Sequence, residues 1–164
     1  MTLLNWVIAL VALQRLGELV YARRNEARLR AAGATESGAG HYPLFVLLHA
    51  SWLAAIWLLA DPNMEPFWPA LIAYVVLQPV RVWIVATLGP RWTTRVIVLP
   101  GAPLVSGGPY RFLRHPNYAL VVAEIALLPL AFQLWEVAVV FSLANLLLLR
   151  HRVRVEDAAL AGLR

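Results

Sequence analysis

The chain has 164 residues, 61% of them hydrophobic and only 14% charged, with a mean hydropathy of +0.68. A soluble domain is nearer to 45–50% apolar and about 25% charged, and so short a chain cannot hide that excess in one core. The composition therefore excludes a disordered chain and an ordinary soluble domain, and the absence of cysteine excludes disulfides, thiol catalysis and thiolate metal sites. The net charge of +5 comes from fourteen basic residues, all arginine. With this hydropathy it points to lipid rather than nucleic acid.

A bilayer span needs roughly 20 apolar residues. The first candidate runs from Leu3 to Tyr21, with Arg15 and Glu18 near its end. It continues as a charged helix through Arg23–Arg30, with Glu26 and Arg30 spaced i, i+4 for a pair and Gly33 placed to end it. Met1-Thr2 lacks the basic start of a secretory signal, so this helix is expected to be retained. The second span, Tyr42 to Ala60, has no formal charge, and His49 in its middle reads as a hydrogen-bonded packing residue. The third, Phe67 to Leu88, is interrupted by Gln78, Pro79 and Arg81. A long segment, Gly89 to His115, follows; its Pro and Gly residues break helices, while Val96–Leu99 and Leu104–Val105 suggest order against the bundle.

Tyr118 to Arg150 then reads as a helical hairpin turning near Phe132–Glu136. The expected architecture is an all-α, polytopic membrane protein in one domain over residues 1–164. Its helices lie near 3–30, 42–60, 67–88, 117–132 and 136–161, about five of them crossing the bilayer, with a loop over 89–115. Segments 22–41, 89–117 and 150–164 would share one side and carry twelve arginines, from Arg23 to Arg164, whereas the opposite connections carry acids and no base. The positive-inside rule places the Arg-rich side in the cytoplasm and the N-terminus outside. Trp6, Trp57, Trp68 and Trp135 would form an aromatic belt at the outer interface.

The unusual polar residues gather on the Arg-rich side. Pro116 suits the first turn of a helix, whose free N–H groups, with Arg114, would make an anion site; Tyr110, His115 and Tyr118 add aromatic faces. On the last helix Arg152, Glu156 and Leu160 share one face. The plain alternatives are an interfacial helix start and a solvated, salt-bridged helix end. Within the membrane, Gln78, Arg81 and Glu124 stand out, either as a structural Arg81–Glu124 pair or as catalytic groups. The four histidines are too scattered for a metal site.

Gly108-Pro109-Tyr110, then Arg114-His115-Pro116-Asn117-Tyr118, then Arg152-x-x-x-Glu156-Asp157-x-x-Leu160 resemble the isoprenylcysteine carboxyl methyltransferase family. These are multi-helix membrane enzymes that use S-adenosylmethionine. The earlier Gln14-Arg15-Leu16-x-Glu18-Leu19, Arg24-Asn25-Glu26, His41-Tyr42-Pro43 and Leu88–Thr93 look like a bacterial branch associated with type III polyketide synthases, which O-methylates alkylpyrones or alkylresorcinols.

The resemblance implies that Leu104, Val105, Tyr110, His115, Pro116, Asn117, Tyr118 and Glu156 hold the cofactor. It implies that Arg152 orients an oxygen nucleophile; where a phenol needs a base, His115 and Glu124 are the nearby candidates. The implied partners are a lipidic small molecule and the membrane's own lipids, without nucleic acid, at the cytoplasmic face of a bacterial inner membrane. Other readings are a protein isoprenylcysteine-type carboxyl methyltransferase, a phospholipid methyltransferase, and a non-catalytic scaffold or transporter subunit.

Overall fold

The computed structural model describes residues 2–161; Met1 and Arg164, the last of the expected cytoplasmic arginines, lie outside the described residues. Among the described residues five α-helices carry the architecture: α1 (Leu3–Ala31), α2 (Tyr42–Leu59), α3 (Trp68–Leu88), α4 (Pro116–Ala131) and α5 (Trp135–Leu160). At 29 residues α1 is about 44 Å long, more than the roughly 30 Å of hydrocarbon, so it is longer than a bilayer span requires. It ends where the sequence predicts. Gly33 adopts φ +89° and the Gly33 and Ala34 N–H groups bond back to Arg30 and Leu29, a glycine-closed helix end.

The helices α1, α2 and α3 are each long and apolar enough to cross a membrane. The 16-residue α4 reaches only about 24 Å and α5 is charged over its last third. Two antiparallel strands, absent from the helical reading of the sequence, join these helices: β1 (Thr35–Ser37) pairs with β2 (Val96–Val98) in the register Glu36↔Ile97. They turn the expected loop after α3 into a wall.

The main apolar core runs through Leu4, Leu48, Trp52, Ile56, Tyr74, Ile125 and Leu128 of α1 to α4. The Trp52 indole N–H donates to the Ile125 carbonyl (3.1 Å), pinning α2 to α4. Leu10, Leu13, Leu47, Leu58, Val82 and Leu147 point outward, as lipid-facing residues do. The three Arg-rich segments do meet at one end, where Asn25 donates to the Gly89 and Trp92 carbonyls and Arg152 to the Thr94 carbonyl. At the other end the Phe67 N–H bonds to Ala131 and the Gln133 amide to Glu65, amid exposed Trp6, Trp57, Trp68 and Trp135.

The intramembrane charges resolve as a cluster. Glu124 accepts from the Arg81 Nε (3.0 Å), the Arg15 Nη2 (2.8 Å) and the Gln78 amide (3.1 Å). Glu18 accepts from Arg81 (2.8 Å) and Arg15 (3.3 Å). Two arginines thus balance two glutamates across α1, α3 and α4, so the buried charges are paired. His49 bonds the Phe45 carbonyl of its own helix (2.8 Å). The expected Glu26–Arg30 pair is replaced by partners from other elements: Arg30 pairs with Glu36, and Glu26 lies 3.6 Å from Arg95.

Candidate active site at the arginine-rich end

A cavity of about 450 Å³ opens where α4, α5 and the strand wall converge. Cavities of a few hundred Å³ suit ligands of nucleoside size. One side is β2 and the segment after it, with Leu104 and Val105; another is Tyr110, His115, Asn117 and Tyr118; the third is Arg152, Glu156 and Leu160 of α5. The i, i+4, i+8 spacing does put those three α5 residues on one inward face.

The centre of the site is a chain of hydrogen bonds. The Tyr118 hydroxyl donates to Glu156 in a short contact and accepts from the Arg152 Nε (2.8 Å). The Arg152 Nη2 donates to the Thr94 carbonyl (2.8 Å), which fixes the guanidinium plane between α4 and the strand wall. The Phe45 and Tyr118 rings lie 5.2 and 5.6 Å from that guanidinium. His115 stacks on Tyr118 with ring centroids 5.3 Å apart, and its nitrogens lie 3.8 Å from Glu156 and 3.4 Å from Asp157.

Burial, and then the negative charge of Glu156, hold the Tyr110 hydroxyl far above its ordinary pKa, so it stays a neutral phenol. Behind the wall, burial by itself would lift the Glu36 carboxyl. The hydrogen bonds and charges of Arg95 and Arg30 outweigh that and hold it below its usual range.

Of the residues expected at this site, Leu104, Val105, Tyr110, His115, Asn117, Tyr118, Arg152 and Glu156 line the cavity. Pro116 does not; it is buried as the first residue of α4 and supplies shape rather than a contact. The expected anion site at that turn is reduced. Pro116 has no N–H, and the Tyr118 and Ala119 N–H groups both bond to the His115 carbonyl.

Glu124 is also placed elsewhere. It is 1% exposed within the ion cluster, it does not line the cavity, and both of its oxygens are engaged. The structure thus makes it half of the structural pair with Arg81 rather than a base at the cavity. The sequence reading placed neither Leu29, Trp92 and Thr93 nor the β2 residues at the site and left Arg95 out of it, yet all of them line the cavity. Arg95 reaches the wall because it pairs with Glu36 (2.7 Å) and lies over the Tyr42 ring (4.2 Å). Partners so distant in the chain leave no spacing signal.

The cavity suits a ligand that combines an apolar face with polar groups. Two side-chain atoms of its lining residues, Trp92 Nε1 and Asn117 Oδ1, are buried without a hydrogen-bond partner among the described residues, while His115 Nε2 faces the Asp157 carboxylate at 3.4 Å. Unsatisfied buried polar atoms cost roughly 1–3 kcal/mol each, which a ligand with matching groups relieves. Apolar Val96, Val98, Leu99, Leu104 and Val105 provide surface for a base, and Glu156 is a carboxylate for hydroxyl or amino donors.

The family model of the isoprenylcysteine carboxyl methyltransferase (ICMT) family matches residues 70–162, the stretch that holds most of α3, β2, α4 and α5. An uncharacterized Bacillus subtilis (strain 168) protein, YpbQ, is 39% identical over 158 residues, covering 94% of each chain. An uncharacterized protein of Haemophilus influenzae is 27% identical over 168 residues, covering 99% of this chain and 98% of its own. No solved structure matches.

Proposed function

The chain belongs to the isoprenylcysteine carboxyl methyltransferase family of membrane methyltransferases, and from that premise we propose that it is an S-adenosylmethionine-dependent O-methyltransferase. Its substrate is a lipid with an acidic oxygen, an alkylpyrone or alkylresorcinol, taken at the cytoplasmic face of the cell membrane. The observation that carries this reading is the fixed Arg152–Tyr118–Glu156 chain in a cavity bordered by unsatisfied polar atoms.

In this reading Leu104, Val105, Tyr110, His115, Asn117, Tyr118 and Glu156 hold the cofactor, with Pro116 shaping the turn beneath it. Bound there, S-adenosylmethionine supplies an electrophilic methyl group on a sulfonium. The protein's part is alignment, since an in-line displacement depends on near-attack geometry more than on acid–base help.

Arg152, locked by Tyr118 and Thr94, turns its remaining donor edge to the nucleophilic oxygen and keeps it anionic. The enol of a hydroxypyrone ionises readily and needs no base. A resorcinol hydroxyl, with a pKa near 10, needs one, and His115 between Glu156 and Asp157 is the group in place.

Charge favours oxygen over nitrogen as the methyl acceptor. The lining contains Arg91, Arg95, Arg114 and Arg152 against the single carboxylate of Glu156. Arg95 is neutralised by Glu36, which leaves Arg152 as the donor to an anionic oxygen, a role with no counterpart beside a neutral amine nucleophile.

The test is S-adenosylmethionine binding by the purified protein in nanodiscs, wild type against Glu156→Ala and His115→Ala, followed by turnover. Alkylpyrone, alkylresorcinol, a farnesylcysteine analogue and phosphatidylethanolamine are the substrates to compare. Saturable binding weakened in both variants, with methyl transfer to the ring substrates, is the expected result. Turnover of the farnesylcysteine analogue alone gives the protein-carboxyl reading instead. No binding by folded wild type removes the enzyme reading and leaves a membrane scaffold.

A further inference from the structure

The segment between β2 and α4 exposes what a loop in water ordinarily tucks away. Phe112 is 71% exposed and Leu113 54%, and Leu104 on the cavity rim is exposed as well. Exposed Arg111 and Arg114 bracket the Phe-Leu pair. The Arg111 guanidinium lies 5.2 Å from the Phe112 ring centroid. Arg114 borders the cavity and makes no hydrogen bond or ion pair among the described residues. From Leu99 to Arg114 the chain contains no acid.

This surface lies at the end of the bundle where the Arg-rich segments meet, next to helices whose flanks are apolar. Aromatic and aliphatic side chains at such a level seat at the acyl boundary, while guanidinium groups reach lipid phosphates.

We propose that Leu104 and Arg111–Arg114 form a lipid-binding rim. Phe112 and Leu113 enter the acyl boundary of the protein's own bilayer, while Arg111 and Arg114 hold the phosphate of an anionic phospholipid. Charge complementarity selects this occupant, because the rim offers only cations and apolar groups. Leu104, Tyr110 and Arg114 belong to the cavity lining, so the seated lipid borders the cavity mouth. A long-tailed substrate then passes from bilayer to cavity without crossing water. That last consequence rests on the methyltransferase reading; the lipid site does not.

The chain has no cysteine, so Leu113→Cys gives one site for a nitroxide and keeps Phe112. In nanodiscs the expected label collides with oxygen in preference to a nickel chelate, and lies deeper when phosphatidylglycerol is added to phosphatidylcholine. A label at exposed Ala32, beyond α1, stays open to nickel. In the unlabelled protein, spin-labelled phosphatidylglycerol associates in preference to phosphatidylcholine. Arg111→Gln with Arg114→Gln lowers that preference by about fivefold for each arginine removed.

The proposal is overturned by a nickel-accessible Leu113→Cys label in both lipids, or by unchanged lipid preference in the double variant. Concentration-dependent spin coupling, the sign of a second copy on the rim, overturns it as well. None of these readouts needs turnover, so they stand apart from any failure of the enzyme assay.

Discussion

Replacing Arg152 by lysine keeps the charge and removes the fork. In the wild type the guanidinium spends Nε on the Tyr118 hydroxyl and Nη2 on the Thr94 carbonyl, both at 2.8 Å, which fixes the direction of its remaining donors. A lysine ammonium is a point charge on a flexible stem and cannot span two acceptors on opposite walls in one plane. Each charge-assisted hydrogen bond is worth about 1.5–3 kcal/mol. A loss of about 3–4 kcal/mol in the alignment of the nucleophile corresponds to a drop of roughly 10²–10³ in kcat/KM, at 1.4 kcal/mol per tenfold.

The assay is methyl transfer to the lipid substrate in nanodiscs, with S-adenosylmethionine affinity measured separately by calorimetry. The expected Arg152→Lys protein retains cofactor affinity and loses turnover. Activity within about threefold of wild type would refute the orienting role, since a lysine cannot reproduce that geometry. Equal losses in cofactor affinity and kcat/KM would place Arg152 in the cofactor site instead.

Three other outcomes follow from the geometry. Glu124→Gln leaves Arg81 and Arg15 short of a buried counter-charge and is expected to destabilise the protein by about 3–5 kcal/mol in unfolding, whereas Arg81→Met with Glu124→Leu is better tolerated. An unchanged melting temperature for the single variant would show that the cluster is not structural. Gly108→Ala puts a Cβ 2.5 Å from the Thr87 hydroxyl at φ +54°; it should lower stability by about 1–3 kcal/mol and weaken cofactor binding, because the same turn carries Tyr110. Wild-type affinity and melting in that variant would contradict the close packing.

The third outcome concerns acid. Glu36 has a folded pKa below its ordinary 4.5, so its pairs with Arg95 and Arg30 add stability above that pH and lose it as pH falls through the ordinary value toward the depressed one. Unfolding of Glu36→Gln should therefore depend less on pH below about 4.5 than unfolding of the wild type; parallel curves would count against the pair.

The legible part of this protein was the part that lipid imposes. Uncharged runs such as Tyr42–Leu59 must bond their own backbone in hydrocarbon, so the long apolar stretches read directly as helices, and Gly33 and Pro116 marked two of their ends. Much of the cavity lining was legible for the same local reason. Arg152, Glu156 and Leu160 share a face by helical period, and the His115–Tyr118 run opens a helix.

Glu124 showed the limit. Its burial in the membrane was visible, but its engagement by Arg15, more than a hundred positions earlier, was not. The same holds for the strand pair and for Thr94. Three residues of Thr35–Ser37 and three of Val96–Val98 have too little period to read as strands; they become strands because Asn25 and the Arg95–Glu36 pair bring them together. Composition and periodicity thus determined that this chain is a helical membrane protein with an arginine-rich end. Only the tertiary structure decided which charges line a cavity and which neutralise each other, because partner choice depends on distances between helices that sequence spacing does not encode.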